Sequence, residues 1–397
     1  MTPTATPIKI EYESNDYAYV QDRPAMNMIK IAGFSENSNP GPGSLKNSLY
    51  NYTGNSTITS NNYTIHNYLF FEVDGSIVDK LELYDKYLKG VSRDGVLAFK
   101  IYMELFGDFT NSEGWDYVKG YSKLNISKNS TNYGLHNIAG TEYGWIKLDL
   151  EPIKELTNKF IHPFSLAAAE YVQLYYNNVI MGNTSFPEIN SSISSSDLQA
   201  IAEDLLSNLD DPDKWAVFTN FNKKMIKEEG CKDVDLSRSY IRLDDFDSQK
   251  FGAGARVKKY TIYDRWDEMT DNVSAASTYG KEYTYEIDDI SSGVASYEPA
   301  LGKEENPFKQ PFFYDKKKGL LSTNEELFFE LPIGEMHYPG ANIVYSNVNV
   351  RDLQRKDVYG DLLVKKHATG HSNFQYYTAK DFPASSFATP IDVLIVK

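Results

Sequence analysis

A single cysteine, Cys231, in 397 residues leaves no material for a disulfide framework or a cysteine-built zinc centre. Positive charge is also scarce. Forty Lys and Arg stand against 55 Asp and Glu, a formal net charge of -15. Affinity for a phosphate backbone comes mainly from Lys and Arg, so this balance argues against a nucleic-acid partner and an anionic membrane surface. No apolar run approaches the roughly 18 residues of a bilayer-spanning helix. The start, Met1 to Pro7, lacks the basic and apolar stretches of a secretory signal. Two expectations follow: a cytoplasmic protein if the chain is complete as given, or an interior piece of a longer extracellular or cell-surface chain. The far end, Ile391 to Lys397, is a strand pattern that stops without a polar tail, which favours the second.

Aromatic residues, by contrast, are plentiful. Thirty Tyr and 21 Phe suit the half-buried faces of sheets, and an apolar content of 41% excludes a disordered chain. Strand signals occur at 68–73, 96–105, 117–126 and 143–150, with a short helix expected over 78–88. Residues 35–67, rich in Asn, Ser, Gly and Pro, read as a long surface loop or mobile insertion. Helical spacing appears over 164–180 and 196–209. A third helix starts at Asp211-Pro212 and runs to a stop at Gly230. Nine further strand patterns follow from Ser239 onward. The expected fold is mainly β with an α-helical insertion (α+β), as an antiparallel sandwich or a layered, curved sheet. The expected divisions are 1–150, 151–231 and 232–397. In the strand 255–263, alternation assigns Val257, Thr261 and Tyr263 to one face and Lys258, Tyr260 and Ile262 to the other.

Motifs that carry chemistry are few. There is no Gly-X-Ser-X-Gly, and Cys231 has no histidine beside it in sequence. His367 and His371 are four apart but flank a turn signal, Thr369-Gly370, so they read as a hairpin pair rather than metal ligands. Asp244-Asp245-Phe246-Asp247 lacks the central Gly and distal Glu of an EF-hand, and Asp210 to Asp213 reads as a helix cap. Calcium in such acidic loops is the one cofactor left open. Gly252-Ala253-Gly254-Ala255 precedes a strand, the wrong order for a phosphate loop, and reads as a loop with close backbone approach. Glu298, Glu304 and Glu305 are among many carboxylates a glycosidase would need in a pair. Trp115, Trp145 and Trp266 are candidates for stacking on sugars, with burial the alternative. Asn-X-Ser/Thr triplets at Asn51, Asn55, Asn62, Asn125, Asn129, Asn183 and Asn190 are what an Asn- and Ser-rich chain produces by composition. No catalytic, cofactor-binding or metal-binding residue is assigned. Arg256, Lys258, Trp266 and Glu298 are the positions most worth locating.

Several phrases carry a resemblance. They are Asp235 to Leu243, Phe251 to Lys259, Ser277 to Tyr285, Ser291 to Pro299 and Tyr376 to Pro383, with Lys9 to Gln21 at the start. Together they resemble an interior segment of very large, uncharacterised proteins of Bacteroidetes-type bacteria. Arg256 to Lys259, Tyr283 to Tyr285 and Ser291 to Val294 are also similar to hairpins of Rhs/YD-type β shells, although the repeated YD hallmark is missing. The resemblance implies a non-enzymatic structural or interaction module of a surface or secreted protein. Its implied partners are other domains of the same polypeptide or the secretion machinery. The alternative is a carbohydrate-binding or glycan-processing domain.

Overall fold

The computed structural model describes residues 7–54, 58–59, 61–105, 114–153, 159–175, 221–271, 277–298, 304–316, 325–332, 343–353, 356–357 and 370–384. The chain is mainly β, in several antiparallel sheets accompanied by short helices. Its contacts group into two interleaved units. The first unit joins Met1–Met26 to Asp245–Gln310 and Leu331–Lys397. The second joins Asn27–Asp244 to Pro311–Glu330. Consecutive stretches of chain are therefore not the units of contact.

The second unit is built on a seven-stranded sheet. Its strands lie in the order Tyr133–Ile138, Thr141–Lys147, Tyr68–Glu72, Met26–Ser35, Tyr240–Asp244, Val96–Glu104 and Trp115–Lys123. Strict alternation in Val96–Glu104 sends Leu97, Phe99, Ile101 and Met103 inward. Three glycines in this sheet lie directly opposite aromatic residues, which cover them: Gly120 opposite Phe99, Gly134 opposite Trp145 and Gly144 opposite Phe71. A ring laid over a strand glycine supplies the packing that the glycine lacks.

Helices cover the inner face. Asp79 caps Lys80–Leu83 by accepting from the Leu81 and Glu82 amides, both at 2.8 Å. A π-helical turn, Tyr84–Leu88, leads into Lys89–Asp94, and Gly95 ends the run in the left-handed region at φ 67°. The helix Pro163–Tyr175 buries Phe164, Ala168, Ala169 and Val172, with Phe164 4.1 Å from Phe99 between ring centroids. Leu166 and Tyr171 are half-buried. The helix expected at 196–209, and the start of the one at Asp211, lie outside the described residues; Phe221–Lys227 is helical.

Residues 35–67 are not simply a surface loop. Tyr50–Tyr52 pairs with Tyr63–Ile65, and Leu49, Tyr50, Tyr52, Ile58 and Tyr63 are buried. Their apolar side chains anchor a segment whose average composition is polar.

In the first unit, strands Ile8–Tyr17, Lys250–Tyr263, Ser277–Thr284, Asn347–Asp352 and His371–Gln375 form an antiparallel sheet in that order, with Lys356–Asp357 also paired to Ser277–Thr284. The register sorts its side chains by polarity. One face carries Glu11, Lys259, Glu282, Arg351 and His371 in a row. The other carries Ile8, Ile262 and Tyr279 in one row and Ile10, Tyr260 and Lys281 in the next. A register shift between Glu11 and Tyr12 sets Val257 opposite Tyr12, and so on the face of Tyr260 and Ile262. Simple alternation assigned it to the other face; the bulge reverses it. The Gly252–Ala255 segment is likewise strand rather than loop, and a second irregularity falls opposite it, between Ser14 and Asp16. The small apolar core of this unit is Tyr17, Val20, Ala25, Ala295 and Phe308, with Ile343 against it.

Candidate functional site

Two of the residues singled out by sequence, Arg256 and Glu298, are interior groups of the first unit. Arg256 donates from Nε to Glu13 at 2.7 Å and from Nη2 to Asp16 at 2.9 Å, while Nη1 takes the other Asp16 oxygen. Its guanidinium lies over the rings of Tyr285 and Tyr345, 4.5 and 4.8 Å from their centroids. Asp16 also accepts from Ser291 Oγ at 2.6 Å and Gln249 Nε2 at 2.7 Å. Burial works to raise the Asp16 carboxyl, but the bonds from Arg256, Ser291 and Gln249 outweigh it and hold it below its ordinary range.

Glu298 accepts from the Tyr17 hydroxyl at 2.8 Å and from Lys250, whose ammonium also meets Glu305 and, at 3.0 Å, the Met26 carbonyl. Burial pushes Glu298 up despite Lys250, and burial together with Glu298 pushes the Tyr17 phenol up. Glu298 and Glu305 thus converge on one lysine and form an ion triad. Lys258 is exposed and reaches Glu13 at 3.6 Å. Trp266 opens the short helix Trp266–Met269; its side chain lies outside the described residues.

Other reactive side chains among the described residues are committed elsewhere. Cys231 is buried, its Sγ donates to the Leu105 carbonyl at 3.3 Å, and burial pushes the thiol up. His162 is packed edge-on against Phe34 and Phe164, and its Nδ1 accepts from the Phe164 amide at 3.1 Å. Burial lowers it to about 3. Asp244 accepts from the Gly90 amide at 2.6 Å, and burial raises it to about 7. Asp245 instead accepts from the Asp247 amide at 3.2 Å. The acidic run therefore turns its first two carboxylates to backbone amides. His371 lies on an exposed strand; His367 is outside the described residues. Among the described residues no three His, Cys, Asp or Glu side chains gather as a metal site, and no helix is long and apolar enough to cross a membrane.

A different constellation lies on the outward face of the second unit's sheet, at its Trp115–Lys123 edge. The register aligns Glu104 with Trp115, Tyr102 with Tyr117, and Lys100 with Lys119 and Tyr240. Arg238, exposed at the end of a turn capped by Asp235, lies over Tyr102 with Cζ 3.7 Å from the ring centroid and donates from Nε to the Tyr117 hydroxyl at 3.3 Å. Tyr102 stacks with Trp115 at 5.7 Å and meets Tyr117 at 4.8 Å, while Lys100 lies 5.1 Å above the Tyr117 ring. The rings are half-buried and Lys119 is exposed. Sequence reasoning picked out Trp115 but missed Tyr102, Tyr117 and Arg238. The available signal was the spacing Trp115-X-Tyr117-X-Lys119-X-Tyr121, which places four large side chains on one strand face. Trp145, the other described tryptophan considered as a platform, covers Gly134 and packs with Tyr68 at 5.5 Å.

No family model, curated protein or solved structure matches the chain.

Proposed function

We propose that the chain is a non-enzymatic interaction module of a larger bacterial surface or secreted protein, docking to a neighbouring domain of the same polypeptide. One observation carries the reading: the first unit's sheet turns an ordered apolar face to solvent. Ile8 is 59% exposed and Tyr12 62%, and Tyr279 and Phe374 are exposed on the same sheet. Exposed apolar side chains gathered on one face of a sheet support an interaction site. The sequence resemblance supports the surface or secreted setting, and the net negative charge keeps such a module soluble. The interior roles of Arg256 and Glu298 support a binding rather than a catalytic reading. The test is the mass of the native polypeptide, by blot and peptide mapping from source cells. A mass several times 45.1 kDa is expected; a mass equal to it overturns the reading.

A second reading, a carbohydrate-binding domain, is favoured by the aromatic face of the second unit. Half-buried rings aligned along a strand pair are the shape of a sugar platform. Retention of the purified chain on immobilised glycans tests it.

A further inference from the structure

We propose that the face formed by Lys100, Tyr102, Trp115, Tyr117, Lys119 and Arg238 binds an acidic polysaccharide, with the rings against the sugars and the cations against their carboxylates. This deepens the carbohydrate reading and rests on it. Three observations carry it.

The first is charge. In a chain of net charge -15, these positions set four cations, Lys100, Lys119, Lys123 and Arg238, against two acids, Glu104 and the turn-capping Asp235. The neighbouring carboxylate of Asp116 is turned away, accepting from Tyr171 at 2.8 Å. A local reversal of sign on an acidic protein selects an anionic ligand.

The second is the setting of Arg238. Stacked on Tyr102 and held through Nε by Tyr117, it has lost much of its rotamer freedom before any ligand arrives. Its two Nη groups form the planar fork that matches a carboxylate bidentately.

The third is the charge density the face suits. A nucleic-acid strand brings a phosphate with every nucleotide to a chain of net charge -15. A polyuronate with carboxylates spaced along sugar rings matches alternating rings and cations, and repels the rest of the chain less.

The test is affinity electrophoresis of the full chain in gels containing polygalacturonate, neutral dextran or neither, with a single-stranded thymidine oligonucleotide as a competing probe. Polygalacturonate retards the wild type, the effect weakens with added salt, and dextran does not retard it. Arg238→Glu weakens binding by about tenfold or more, as expected for a lost charge-assisted contact. Trp115→Ala weakens it with no change in net charge. Far-UV circular dichroism confirms that both variants are folded. Equal retardation by dextran overturns the acidic preference and leaves the carbohydrate reading standing. Retardation by neither polymer overturns both, as does binding of the oligonucleotide alone. Retardation that Arg238→Glu and Trp115→Ala leave unchanged places the ligand elsewhere and overturns the site. None of these outcomes alters the native mass that tests the module reading.

Discussion

The two units solve the same problem with opposite materials. The second unit encloses rings and aliphatic side chains, lays three aromatics over three glycines, and turns cations outward. The first encloses charge, with Asp16, Arg256, Lys250 and Glu298 in its interior, and leaves isoleucine, tyrosine and phenylalanine outside. A large apolar core needs no partner to be stable. A unit with a small core, held by buried ion pairs and carrying an apolar sheet face, gains most from a neighbour that covers that face.

The sharpest way to break this contrast is to remove the arginine. Arg256→Ala leaves Asp16 buried without its main partner, and such losses cost about 3–5 kcal/mol. Hydrogen–deuterium exchange should show lost protection in peptides from 8–17 and 250–263, with protection at 96–104 retained. Equal loss in both regions would show that the ion pairs serve the whole chain rather than one unit.

The second unit has its own buried titrating groups, and they act in opposite directions. Asp244 is raised to about 7, so its contribution to stability is fully present below about pH 4 and is lost as pH rises through 7. Asp244→Asn should flatten that decline and stabilise the unit at pH 8, by on the order of 4 kcal/mol at most. His162 is lowered to about 3, so its contribution is present above about pH 6.5 and is lost as pH falls toward 3. Thermal melts of the wild type and Asp244→Asn from pH 4 to 8 check the first slope. Parallel curves would mean that Asp244 is not the group titrating.

The smallest effect is expected outside. Tyr12→Ser on the apolar face should change the stability of the chain by less than about 0.5 kcal/mol, as for exposed positions generally. A larger loss in denaturant melts would mean that this face is already covered in solution.

Much of the fold was legible where period-two patterns were clean. Val96–Glu104 falls within a residue of the expected 96–105, because alternating burial writes itself directly into the sequence. The strand Tyr133–Ile138 was missed because Gly134 and Asn137 look like loop residues; the ring that supports Gly134 comes from Trp145 on the next strand. The buried hairpin within 35–67 was hidden by polar neighbours, and the face of Val257 by a bulge that depends on the partner strand. The candidate site was legible only along one strand. Trp115 and Tyr117 share a face by spacing, but Arg238 reaches them across more than a hundred residues of chain. Arg256 and Glu298, also singled out by sequence, are charged groups that the interior has to neutralise.

The interleaving of the units sets an order of events during synthesis. Strand Ile8–Tyr17 finds its main partner only in Lys250–Tyr263, about 240 residues later. At ribosomal speeds of roughly 5–20 residues per second, that partner emerges on the order of 10–50 s after the first strand. The seven-stranded sheet can meanwhile be completed, since its last strand ends at Asp244. For that interval Ile8, Ile10 and Tyr12 sit on a nascent strand with unpaired edges, the state most open to a chaperone or to wrong pairing with a neighbouring chain. Lys9, Glu11 and Glu13 alternate with them, and charges set between apolar residues are the usual guard on such a segment.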